Sequence, residues 1–279
     1  MKDYINSKIE DKSNLDEEML FSNLADYLNK GIAKALFAGN VHKHNGFIDY
    51  PSNILGRSKK IEIADLQIIN HDVTKNVTKI SFMQAKYKRE KPRRFLCFKG
   101  NAFQLELLTI RPVIIDSYGL GFPSNILSFT KYKTISSFGI FYRDSDGRID
   151  LLYSVPENIE ASRAVEHTSM RYKKNTDSVT VAIQSMADET ITAESMVEFQ
   201  NALLLNRIGA PVDIEIKGYI AKVLGSIYMS TSNTFIKEFS KESGIKLNYD
   251  DERFKYISTL LIISKSKDEL LTRMLKMAE

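Results

Sequence analysis

Ile61-Glu62-Ile63-Ala64-Asp65-Leu66-Gln67-Ile68-Ile69 and Ile80-Ser81-Phe82-Met83-Gln84-Ala85-Lys86-Tyr87 decide how this chain is read. Their apolar and β-branched content predicts strands over 60–70 and 78–88, joined by the polar turn Asn70-His71-Asp72-Val73-Thr74-Lys75-Asn76. Side chains alternate faces along a strand, so Gln84 and Lys86 share one face and Ala85 takes the other. An aspartate within an apolar run, beside an amide and a lysine on the neighbouring strand, is costly to bury unless something pairs it. Two readings follow. Asp65 and Lys86 form a structural ion pair between strands, or Asp65, Gln84 and Lys86 supply an anionic ligand, a neutral oxygen ligand and a cation to a reaction centre.

Metal-assisted hydrolysis of a phosphodiester asks for that second set. A divalent cation polarises the phosphate and lowers the pKa of a bound water. Magnesium takes hard oxygen ligands and manages with one or two carboxylates. A lysine beside it steadies the developing negative charge. A second acid would complete the set. Glu17 falls on the apolar face of a helix predicted over 14–38, with Leu20, Leu24 and Leu28, where it is either a ligand or part of a capping box with Asn14. Glu62 is the other choice, but in a regular strand it alternates away from Asp65 and reaches it only through a bulge. His42 and His44, near Asp49, form only a weak metal-ligating pattern within a segment over 40–58 expected as a loop with room for a short strand.

The strand carrying Lys86 runs into Lys86-Tyr87-Lys88-Arg89-Glu90-Lys91-Pro92-Arg93-Arg94-Phe95-Leu96-Cys97-Phe98-Lys99, with seven basic residues and one acid. Such a tract suits a polyphosphate backbone, since each neutralised phosphate releases counterions. Lys88, Arg89, Lys91, Arg93 and Arg94 are the expected nucleic-acid contacts, while Phe95 and Phe98 are expected to anchor in the core. Further out, a helix is predicted over 101–110, strands over 137–143, 149–155 and 178–184, and a turn at Asp144-Ser145-Asp146-Gly147. Ser195-Met196-Val197-Glu198 reads as a capping box opening a helix, with more helices over 213–228, 232–242 and 251–264.

The fold class expected is α/β (α+β), with an α/β domain over 1–190 and a helical C-terminal region over 191–279 that meets a partner, a second copy or nucleic acid. Composition sets further bounds. The chain has 279 residues, 43% of them apolar, a net charge of +4 and a single cysteine, Cys97, which excludes internal disulfides and multi-cysteine zinc sites. The N-terminus lacks the apolar stretch of a signal peptide, and no apolar run is long enough to span a bilayer. A cytoplasmic protein is expected. No glycine-rich nucleotide loop is present; Gly119-Leu120-Gly121 lacks the lysine and Ser/Thr that such a loop needs.

Glu17, Asp65 and Gln84-Ala85-Lys86, followed by a helix opening at Asn101-Ala102-Phe103-Gln104, together resemble the PD-(D/E)xK nuclease superfamily. The match is to the Gln-x-Lys variant of Mrr-type restriction enzymes and related antiphage-defence effectors. The resemblance covers roughly residues 14–155. It implies a restriction-endonuclease-like mixed sheet flanked by helices and a divalent-metal-dependent endonuclease acting on DNA, with RNA as the alternative substrate, in bacterial antiphage defence. Mg2+ or Mn2+ would be held by Asp65, Gln84 and Glu17, with Lys86 completing the catalytic set. Ala64, where the family often has Pro or Gly, and the missing glycine cluster before Asp65 depart from its pattern. The alternative is a non-catalytic nucleic-acid-binding or partner-binding subunit that keeps the fold.

Overall fold

The computed structural model describes residues 1–9, 17–30, 33–39, 46–88, 96–116, 119, 121–173, 189–249 and 256–265. The chain forms α1 (Lys2–Ile9), α2 (Glu17–Leu28), β1 (Lys34–Ala38), β2 (Phe47–Ser52), β3 (Arg57–Glu62), β4 (Leu66–Asp72), β5 (Val77–Lys88) and β6 (Cys97–Gly100). It continues through α3 (Ala102–Ile110), β7 (Ser136–Arg143), β8 (Ile149–Ser154), β9 (Ile159–Ala161), β10 (Thr168–Tyr172), β11 (Thr192–Ala193) and α4 (Met196–Leu204). The described elements end with β12 (Ala210–Pro211), α5 (Ile214–Thr231), α6 (Thr234–Ser243) and β13 (Thr259–Ser264).

The main sheet is mixed and ordered β1-β13-β4-β5-β7-β8-β11, with β12 on the first part of β5. β4 and β5 are antiparallel; β5 then pairs in parallel with β7, across a connection that contains α3. Every residue of β4 is buried, because helices cover both faces. On one face Leu66, Ile68, Met83, Ala85, Leu260 and Ile262 pack under α1, α2 and α4. On the other, Ile69, Ile80, Phe82, Leu261 and Ile263 pack under α3, α5 and α6. Phe98, Leu108, Phe138, Ile140 and Met170 fill a third cluster, where the small sheet β6-β10-β9 meets α3 and the main sheet. No helix among the described residues is long and apolar enough to cross a membrane.

Several expectations are corrected. The helix expected over 14–38 ends at Leu28, and the chain turns into β1. Asn29 clamps that turn, its side chain donating to the Ala35 carbonyl and accepting from the Ala35 amide. The segment over 40–58, expected as a loop with room for a short strand, holds β2 and the start of β3, a hairpin pinned to α3 where Tyr50 and Ser52 donate their hydroxyls to Glu106. The helix expected over 251–264 is overturned at its end. Thr259-Leu-Leu-Ile-Ile-Ser264 is a strand, β13, lying between β1 and β4 and parallel to β4. The region over 191–279 is therefore not wholly helical, and strands from both sides of residue 190 share one sheet. His71, expected in a turn, is buried in β4 with Nδ1 3.0 Å from Thr78 Oγ1. The strand expected over 178–184 lies outside the described residues.

Candidate metal and phosphate site

The single strand expected over 60–70 is two. β3 pairs with β2, β4 pairs with β5 and β13, and the chain changes partners across Ile63, Ala64 and Asp65. Ile63 and Ala64 bury their side chains in that crossing, and the Ile63 amide donates to the Gly46 carbonyl. The Asp65 amide donates to the Met83 carbonyl, which sets Asp65 opposite Gln84 at the mouth of the β4–β5 pair. Because Phe82 faces α3 and α5, Gln84 and Lys86 face that side too.

Three groups converge on one oxygen of Asp65. The Ala85 amide donates to Oδ2 at 2.8 Å, the Gln84 side-chain amide donates to the same atom, and Lys86 Nζ stands 3.6 Å from it. The Asp65 and Lys86 side chains keep 22% and 23% of their exposure, so the pair sits in an opening rather than a sealed core. Gln84 is 1% exposed, and its Oε1 has no hydrogen-bond partner among the described residues. A buried amide oxygen left unpaired costs about 1–3 kcal/mol. Burial raises the Asp65 pKa, and Lys86, the Ala85 N–H and Gln84 pull it back only in part.

Glu62 is the carboxylate whose reach depended on an irregular strand. The break at Ile63–Asp65 supplies the irregularity. The Glu62 pKa is pushed up to about 7, first by burial and then by the charge of Asp65, with Lys86 opposing. The Gln104 side chain of α3 donates to the Glu62 carbonyl at 3.4 Å and holds the crossing in place. Glu17 begins α2, which packs on the opposite face of the sheet, with Met83 and Ala85; its side chain lies outside the described residues. Of the expected nucleic-acid contacts, Lys88 ends β5, while Arg89, Lys91, Arg93 and Arg94 lie outside the described residues, as do His42 and His44. Phe98 is buried, as expected; Phe95 is not described.

A hard divalent cation suits this donor set. Two desolvated carboxylates face one lysine, and beside them is a buried amide oxygen without a partner. Among the described residues, no three His, Cys, Asp or Glu side chains gather as a metal cluster, so the set depends on Gln84 as well as on the acids.

The Glu62 shift carries a sign. Between about pH 4.5 and pH 7 the native state holds a proton that the unfolded chain releases, so stability falls as pH rises through that window. Metal-free Glu62→Gln should melt with the parent near pH 4 and above it at pH 8, by on the order of 2 kcal/mol. Parallel melting profiles for the two proteins would show that Glu62 is not desolvated against Asp65.

Comparisons with protein-family models, with curated proteins and with solved structures find no match to this chain.

Proposed function

We propose that the protein is a metal-dependent nuclease of restriction-endonuclease-like fold, cutting DNA phosphodiesters at Glu62, Asp65, Gln84 and Lys86. The observation that carries this reading is the convergence of the Ala85 N–H, the Gln84 amide and Lys86 Nζ on Asp65 Oδ2; Glu62, its pKa raised by burial and then by the charge of Asp65, adds a second acid. The order β4–β5 antiparallel, α3, then β7 parallel to β5 also supports it.

Glu62, Asp65 and the Gln84 oxygen would hold Mg2+ or Mn2+; Glu17, the further acid that the family resemblance implies, begins a helix on the opposite face of the sheet and is left out of the set. The cation would supply Lewis-acid polarisation of the phosphate and acidify a water. The chain's own groups do the rest. The Ala85 N–H and Gln84 fix the rotamer of Asp65. Lys86, held beside that carboxylate, meets the negative charge that grows on the phosphate. Bacterial antiphage defence is the setting that the resemblance implies.

Purified protein with magnesium or manganese should nick supercoiled plasmid, and EDTA should stop it. Lys86→Ala should lower the nicking rate by about 10²–10³. Undiminished nicking by this variant would sink the assignment. A second reading, a subunit that binds nucleic acid without cutting it, draws on the Gln84 amide, which donates to Asp65 and turns its N–H toward the carboxylate a metal would need. Calorimetric titration with manganese separates the two. Heat that disappears in Asp65→Ala favours the nuclease, and no heat with the parent favours the binder.

A further inference from the structure

The small sheet β6-β10-β9 ends on an open edge. β9 pairs with β10 and with no other strand among the described residues. The Lys173 amide donates to the Asn158 carbonyl and the Ser162 amide to the Ser169 carbonyl, so Asn158, Glu160 and Ser162 turn their backbone groups toward β10. Ile159 and Ala161 therefore turn theirs away from it. The Ile159 N–H is taken by the Pro156 carbonyl. The Ile159 carbonyl and both backbone groups of Ala161 are left, the two residues spaced about 7 Å apart along the edge. Beside them a groove of about 510 Å3 runs between β9 and α3. Ala102, Leu105, Thr109 and Ile110, along one face of α3, form its helix wall. Ile110 is 42% exposed there, and Ile54, which also lines the groove, 39%.

We propose that this groove takes an extended peptide of a partner protein as a fourth strand beside β9, with an acidic side chain of that peptide at Arg163. The hydrogen bonds on offer select the occupant. A carbonyl, an N–H and a second carbonyl in line along a strand edge match the backbone of another strand. A helix spends its backbone groups internally and cannot answer them. Every second side chain of an added strand meets the apolar wall of α3, so the peptide must alternate apolar and polar residues. Charge fixes where its acid lies. The acids around the groove are already bonded: Glu106 accepts from Tyr50, Ser52 and the Ile54 amide, Glu157 from Arg111, and Glu160 from Arg171. Arg163 also lines the groove; it is exposed, and its guanidinium makes no bond among the described residues. It stands at the end where α3 begins, since the Ala102 amide donates to the Val165 carbonyl. The positive end of the helix dipole adds to its charge.

The probe is a short fluorescein-labelled peptide that alternates valine and threonine behind one aspartate, titrated with the full chain and read by anisotropy. The parent should bind it at least about tenfold more tightly than the same peptide with lysine in place of the aspartate. Arg163→Glu should reverse that preference, which a loss of packing does not imitate. Methylating the backbone nitrogens of the peptide should abolish binding. Ala161→Pro removes one outward N–H and no bond within the fold, so it should abolish binding and keep the parental melting temperature. Should that variant melt early, the methylated peptide decides in its place. No binding up to about 1 mM peptide overturns the proposal, and so does equal affinity for the methylated peptide or for the lysine peptide. A dimer of the parent, seen by sedimentation and lost in Ala161→Pro, would assign the edge to a second copy of this chain and overturn it as well.

Discussion

Asp65→Asn should abolish metal-dependent cleavage and leave the fold as stable as the parent or more so. The two effects have one cause. Asp65 is held by an amide N–H, a side-chain amide and a lysine, yet burial outweighs all three and raises its pKa. A neutral side chain of the same shape removes that desolvation cost and keeps an oxygen to accept from the Ala85 N–H. It also removes an anionic ligand and the counter-charge of Lys86, and cleavage should fall by at least about 10²–10³. Melting without metal and plasmid nicking with it, on the same preparations, check both halves. A site that gains stability when its charge is removed is being kept for something other than folding. If Asp65→Asn cuts at the parental rate, the proposed function fails.

The largest effect on stability is expected at Gly225, in the middle of α5. A Cβ there would stand 1.8 Å from the Asn248 carbonyl oxygen and 2.7 Å from its carbon. The segment after α6 crosses the helix at this point, with the Asn248 amide donating to the Ala221 carbonyl at 3.1 Å. Neither backbone can yield without losing that bond or parting Tyr228 from Tyr249, whose rings are 6.1 Å apart. Gly225→Ala should cost about 2–4 kcal/mol and lower the melting temperature by roughly 5–10 °C. Gly218, in the same helix, has open space where its Cβ would stand. Gly218→Ala should stabilise by up to about 1 kcal/mol through helix propensity. Two alanine variants of opposite sign within one helix, measured by thermal melting, distinguish close packing from propensity; equal shifts in the two would refute the crossing.

The catalytic candidates were legible because alternation along β5 is a local property. Gln84 and Lys86 share a face whatever the tertiary context, and Asp65 falls beside them once β4 and β5 form a hairpin. Glu62 was harder. Its place depends on the chain leaving the β2–β3 pair for the main sheet between Ile63 and Asp65, and an apolar run shows no sign of a change in partner. Gln104 had a similar fate, visible as a helix opener but not as a hand on the Glu62 carbonyl. β13 was misread because five apolar or β-branched residues in a row fit a buried helix as well as a buried strand. The deciding fact, that β4 and β1 each offer it an edge, lies about two hundred residues away in the sequence.

That distance affects how the protein is made. β4 carries one flank of the proposed site, and one of its two edges is closed only by β13. While the chain is being synthesised, the hydrogen-bonding groups along that edge wait for residues 259–264 to leave the ribosome. The site strand gains its second neighbour only after residues 259–264 have been made. A chain interrupted before β13 would carry the residues of the proposed site without the sheet that arranges them. Removing residues 192–279 would therefore take β13 from between β1 and β4, and β11 and β12 from the same sheet, as well as α4, α5 and α6 from its surface.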